Sequence, residues 1–172
     1  MTIEERVKPA ILCIAEESIF LESVENQLKE TFGKEYSIIT SNRSDLALDL
    51  VKDYNQRGIE IQIIICDQLM PALKGDEFFI QVQKTNPDTR NFLLVDFFTT
   101  KETAHTLNKA NVYRVLSKPI EPKDLIQIIQ GVVNSFYAQN VLKEKNAALE
   151  KSFFHNSDTN LGNWEKLQKR FH

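Results

Sequence analysis

The stretch Ile61-Gln62-Ile63-Ile64-Ile65-Cys66-Asp67-Gln68-Leu69-Met70-Pro71-Ala72-Leu73-Lys74-Gly75-Asp76-Glu77-Phe78 decides the fold of this chain. Its first part, Ile61 to Cys66, is too short for a helix, and its β-branched residues suit a strand covered on both faces. The strand runs into an acid, Asp67. Met70-Pro71 then shapes a turn, and Gly75 opens a run in which Phe78, Phe79 and Val82 share one helical face. That helix must stop before Asn86-Pro87, because the residue preceding a proline resists helical dihedrals.

The same strand–helix alternation extends in both directions. Ala10–Ala15, Tyr36–Thr40, Phe92–Val95 and Val112–Leu116 read as four more strands, and the run at Ile61, richest in β-branched residues, belongs at the centre. Ile19, Phe20, Val24, Leu28 and Phe32 mark a first helix, with Ser18 as its N-cap and Gly33 as its stop. Leu46, Leu48, Leu50, Val51 and Tyr54 mark a second, opened by Ser44-Asp45 and closed at Gly58. Thr103, Ala104, Leu107 and Ala110 make a short fourth helix. The fifth follows Pro122 and carries Leu125, Ile128, Ile129, Val132, Val133 and Phe136. Five strands in strict alternation with helices predict an α/β fold, a doubly wound five-stranded parallel sheet.

Composition narrows the class. The chain has 172 residues, 42% hydrophobic and 26% charged, as in a soluble globular domain of ordinary size with an appendage. No apolar run reaches the roughly 18 residues of a membrane span, and the acidic N-terminus lacks a signal-peptide pattern. With Lys+Arg 21 against Asp+Glu 24, the net charge of −3 carries no footprint for nucleic acid. Cys13 and Cys66 sit in apolar runs with no ligand spacing around them, which suits buried thiols in the cytoplasm.

In a parallel sheet, chemistry collects beyond the carboxyl ends of the strands. Here those ends are Ala15-Glu16-Glu17-Ser18, Asp67-Gln68-Leu69-Met70-Pro71, Val95-Asp96 and Ser117-Lys118-Pro119. Acids and a lysine would converge on one edge. Carboxylates with a backbone carbonyl suit Mg²⁺, and a lysine there could neutralise a phosphoryl group.

These residues resemble the response-regulator receiver domain, the CheY-like family, over about 8–136. Ile64 to Phe78 follows the family's phosphoacceptor strand and its Asp-x-x-Met-Pro-x-x-x-Gly loop; Ile11 to Glu17 and Leu116-Ser117-Lys118-Pro119 fall where the family keeps its acidic pair and its Lys-Pro. The resemblance implies a flavodoxin-like strand order 2-1-3-4-5. It implies that Asp67 takes a phosphoryl group from a sensor histidine kinase, that Lys118 contacts that group through a site usually bounded by a cis Lys-Pro bond, and that the Leu69 carbonyl joins Glu16 and Asp67 around Mg²⁺. The implied role is signalling through protein contacts with a kinase and a downstream effector, with no enzyme activity of its own.

The departures from the family pattern are specific. The first acidic position is Ala15 and the second is Glu16, which weakens a Mg²⁺ site; a shift of one residue would restore a Glu16-Glu17 pair but spoil the strand match. Val95 stands where the family places a Thr or Ser, and Val115 where it usually holds a rotating aromatic ring. Tyr113 shares a strand face with Val115, with no sign that it substitutes. The expected function is therefore a receiver with a degenerate phosphorylation switch. A conventional regulator phosphorylated on Asp67 is the alternative, and a flavin-binding redox protein on the same architecture is a distant one, since Glu16-Glu17-Ser18 is a poor phosphate cradle.

Domain boundaries follow from these readings. Residues 1–8 form an N-terminal arm, 9–136 the receiver-like domain and 137–153 a helical extension. Leu142, Asn146, Leu149 and Phe153 recur at spacings suited to a short coiled-coil seam and a homodimer. Residues 154–172 read as a polar linker and an amphipathic tail around Trp164, Leu167 and Phe171. The chain then acts through contacts alone or as a piece of a longer protein.

Overall fold

The computed structural model describes residues 6–96 and 107–168, with side chains of the last helix described through residue 155. In chain order the elements are β1 (Ala10–Ile14), α1 (Ser18–Phe32), β2 (Ser37–Ser41), α2 (Ser44–Gln56), β3 (Ile61–Asp67), α3 (Gly75–Gln83), β4 (Arg90–Val95), β5 (Val112–Ser117) and α4 (Pro122–Gln168). The strands form one parallel sheet in the order β2-β1-β3-β4-β5. This is the doubly wound arrangement and strand order expected. β3 is buried at every position, as its unbroken apolar run predicts for a strand with neighbours on both sides.

Alternation along the strands sorts the core into two layers. Leu12, Ile14, Ile64, Cys66, Leu93 and Val95 pack with Ala47 and Val51 of α2 and with Phe78, Phe79 and Val82 of α3. On the opposite face Ile11, Cys13, Ile63, Ile65 and Phe92 are fully buried, and α1, which packs on β1 and β2, buries Leu21, Val24, Leu28 and Phe32.

Two expected core residues are corrected. Ile19 is 79% exposed, because α1 buries the face set by Leu21 and Val24, and two helical positions turn Ile19 away from it. Leu46 lies outside for the same reason, one position round from buried Ala47. Ser18 is the first residue of α1 and Glu17 its cap, without a side-chain hydrogen bond. At the far end of α2, Gly58 takes φ 69° while Ile59 N–H returns to the Tyr54 carbonyl at 2.9 Å, the glycine stop read from sequence. Of the short fourth helix, Thr103 and Ala104 lie outside the described residues, and 107–109 are helical.

Ser44 does more than open α2. Its hydroxyl is fully buried, lies 2.6 Å from the Leu73 carbonyl oxygen and 3.0 Å from that of Pro71, and accepts the Leu73 N–H at 3.2 Å. It fastens the start of α2 to the loop after β3. Ser44→Ala should cost about 1–2 kcal/mol by leaving those backbone groups unpaired in the interior; an unchanged urea midpoint would contradict this role.

The chain divides into two compact units, residues 1–126 and 127–172, with the boundary inside α4 instead of after Phe136. Within the second unit the helix runs through 154–160, where sequence suggested a polar linker. No proline follows Pro122, and Ala, Leu, Glu and Lys dominate 142–151, so nothing interrupts propagation of the helix. Beyond Val133 none of its described side chains is buried. No helix among the described residues is long and apolar enough to cross a membrane.

Candidate functional site

Because all five strands run the same way, their carboxyl ends meet along one edge of the sheet. Asp67 closes β3 there, 2% exposed, beside the ends of β1 and β4. Lys118, just past β5, places its Nζ 2.7 Å from Asp67 Oδ1. The pair lies far apart in sequence and is joined by backbone geometry. The Lys118 N–H donates to the Val95 carbonyl at 2.8 Å, and the bond from Lys118 to Pro119 is cis. Gln68 N–H donates to the Leu94 carbonyl at 2.8 Å, anchoring the chain just past Asp67 to the same strand.

The loop after Asp67 is held tightly. Gly75 N–H donates to the Gln68 carbonyl at 3.1 Å, and the Gln68 side chain accepts the Asp76 N–H at 3.0 Å. Glu77 reaches back to the Lys74 N–H at 3.1 Å, completing a capping interaction at the start of α3. Ala72 takes φ 70°, a left-handed conformation that costs a side chain and is sustained by these surrounding bonds.

Electrostatics set Asp67 apart. Burial pushes its carboxyl above the usual carboxylate range; the Lys118 ammonium and the Glu16 backbone amide pull it back, and Asp96 pushes the same way as burial, leaving a net rise. Asp67 Oδ1 is buried, and the Lys118 ammonium at 2.7 Å answers its charge.

Val95 is 4% exposed at the end of β4, a buried methyl-lined position with no hydroxyl to offer. Val115 lies on the edge strand, 40% exposed. Tyr113 is occupied elsewhere: its ring packs edge-on against Phe92 at 5.5 Å, with the Arg90 guanidinium 4.7 Å from its centre.

Of the residues expected around Mg²⁺, Asp67 alone is a buried carboxylate. Ala15 is buried and offers no oxygen from its side chain; the Glu16 side chain is exposed, and Leu69 turns its side chain outward. Among the described residues no three acidic, His or Cys side chains cluster to hold a metal. With an ammonium already at Oδ1, these donors do not fit a tightly held Mg²⁺.

Sequence reading missed two contributors. Ser44 looked like a helix opener, and nothing local reveals that its hydroxyl meets a loop 29 residues away. Gly75 was read as a helix start, whereas a Cβ there would lie 2.5 Å from the Asp67 carbonyl oxygen. Leu142, Leu149 and Phe153 are 59%, 67% and 72% exposed along α4.

Comparison with known proteins agrees with this geometry. The family model described as response regulator receiver domain matches residues 11–130. A hydrogenase transcriptional regulatory protein, HoxA of Cupriavidus necator, is 25% identical over 111 residues, which is 64% of this chain and 22% of that protein. The probable transcriptional regulator ycf29 of Pyropia yezoensis is 30% identical over 128 residues, 73% of this chain and 52% of its own length. The chain thus spans about a fifth and about half of these two relatives. The crystal structure of a response regulator receiver domain protein from Clostridium thermocellum superposes with a TM-score of 0.61 at 22% identity, covering 76% of this chain and 98% of that one.

Proposed function

Since the chain belongs to the response regulator receiver domain family, we propose that it is a degenerate receiver of two-component signalling, working mainly through protein contacts. The observation that carries this reading is the pocket itself: buried Asp67 is closed by Lys118, while the neighbouring Val95 has no hydroxyl to bind an incoming phosphoryl oxygen. A hydrogen bond to a charged group contributes about 1.5–3 kcal/mol, so its absence removes most of the bias toward a second state. Val115 has no ring to rotate, and Tyr113 is engaged by Phe92 and Arg90. Receiver domains typically bind Mg²⁺ at an acidic pocket; here Ala15 and the exposed Glu16 leave that site weak.

The partners in this reading are a sensor histidine kinase, a downstream effector, or both, met in the cytoplasm, and the chain catalyses no reaction on a substrate. The exposed apolar residues of α4, Leu142, Leu149 and Phe153, form a homodimer seam with Asn146. That two relatives bear the names of transcriptional regulators supports a place in signal relay.

A second reading, a conventional regulator phosphorylated on Asp67, is favoured by the Lys118 ammonium 2.7 Å from the Asp67 carboxylate. Acetyl phosphate with Mg²⁺, followed by intact mass and by tyrosine and tryptophan fluorescence, separates the two. In the degenerate receiver any adduct at Asp67 should form without a spectral change. Stoichiometric adduct with a conformational change, both abolished in Asp67→Asn, would establish the conventional switch instead.

A further inference from the structure

We propose that α4 binds a second copy of this chain in parallel and in register, with Asn146 facing its own counterpart and Lys145 paired with Glu150 of the copy. This rests on the dimer reading above and adds to it an orientation and a charge code. Leu142, Asn146, Leu149 and Phe153 are separated by four, three and four residues, the alternating core positions of a two-stranded coil. The three apolar ones are 59%, 67% and 72% exposed. A helix in water draws most of its stability from packing an apolar face, and here the side chains of that face stand exposed.

Asn146 selects the orientation. In an antiparallel pair it would meet Leu149 of the copy, burying an amide without a partner. In a parallel pair the two Asn146 side chains meet and hydrogen-bond each other, which fixes register. The flanks agree. Lys145 precedes the Asn146 core position and Glu150 follows the Leu149 one, five residues apart, the spacing at which flanking charges meet across a parallel seam. By symmetry the pair forms twice. Among the described residues neither side chain enters an ion pair of its own chain.

Sedimentation equilibrium of the full chain over a range of concentrations tests this with Lys145→Glu, Glu150→Lys and the double exchange. The expected result is a dimer weakened roughly tenfold by either single reversal, each of which places like charges across the seam twice, and restored by the double exchange. An antiparallel dimer would instead set Glu150 near Lys143 of the copy, and the double exchange would fail to restore it. A dimer indifferent to these reversals, or one not rescued, overturns the parallel arrangement and leaves the dimer reading standing. A monomer at every concentration overturns both, without touching the assignment of Asp67 and Lys118.

Discussion

Gly75→Ala should cost about 3 kcal/mol of folding stability, at the upper end of what overpacking a tight interior produces. A Cβ at this position would lie 2.5 Å from the Asp67 carbonyl oxygen and 2.7 Å from Leu93 Cδ1. The leucine tip could rotate. The carbonyl cannot, because it belongs to the central strand, held between β1 and β4. Relief therefore requires α3 to move outward from β3, breaking the 3.1 Å bond from Gly75 N–H to the Gln68 carbonyl and disturbing the site. Urea denaturation measures the loss. Gly131→Ala is the control: it has open space within 4 Å, and in a helix alanine should add up to about 1 kcal/mol. Equal midpoints for the two variants would refute the close-approach argument.

Lys118→Ala should destabilise the fold by about 2 kcal/mol at neutral pH and hardly at all in acid. Removing one member of a buried pair costs about 3–5 kcal/mol, less here because the Lys118 side chain is 30% exposed and water already screens it. The sign of the pH effect follows from Asp67. Its folded-state pKa lies above the ordinary value, chiefly through burial, so the folded chain prefers the protonated form and loses stability as pH rises through that pKa. Without the ammonium the folded pKa moves higher still. Below the wild-type value both proteins carry a neutral carboxyl and differ little; above it the variant falls behind. Adding Asp67→Asn removes the charge and should return most of the loss at neutral pH. Thermal melts of the three proteins across the acid-to-neutral range check this, and a deficit constant with pH would show that Lys118 stabilises by packing.

How far the amino-acid order reveals the site can be judged from particular residues. Asp67 and Lys118 were legible because each follows a short apolar run, and parallel strands must deliver their ends to one edge. Val95 reads as a missing hydroxyl only through the resemblance to the receiver family, since a valine ending an apolar run is otherwise an ordinary strand residue. The burial of Ile19 was misread because apolar identity alone does not fix the phase of a helix: the buried set begins at Leu21, and an exposed isoleucine has the same letter as a core one. The helical run through 154–160 was misread because its polar residues resemble a linker, although nothing there stops a helix already propagating.

Periodicity and the punctuation of Gly58, Pro71 and Pro87 were enough to specify five strands, their alternation with helices and the edge at which acid and lysine gather, since these depend on local spacing and on the fixed handedness of crossovers. Contact distances were settled only on folding. The 2.7 Å approach of Lys118 to Asp67, the buried Ser44 hydroxyl on Leu73 and the carbonyl pressed against Gly75 each join segments whose separation is determined by how whole layers pack. The same is true of the net rise in the Asp67 pKa, which sums burial with the Lys118 ammonium, the Glu16 backbone amide and the Asp96 charge, brought in from three other segments of chain.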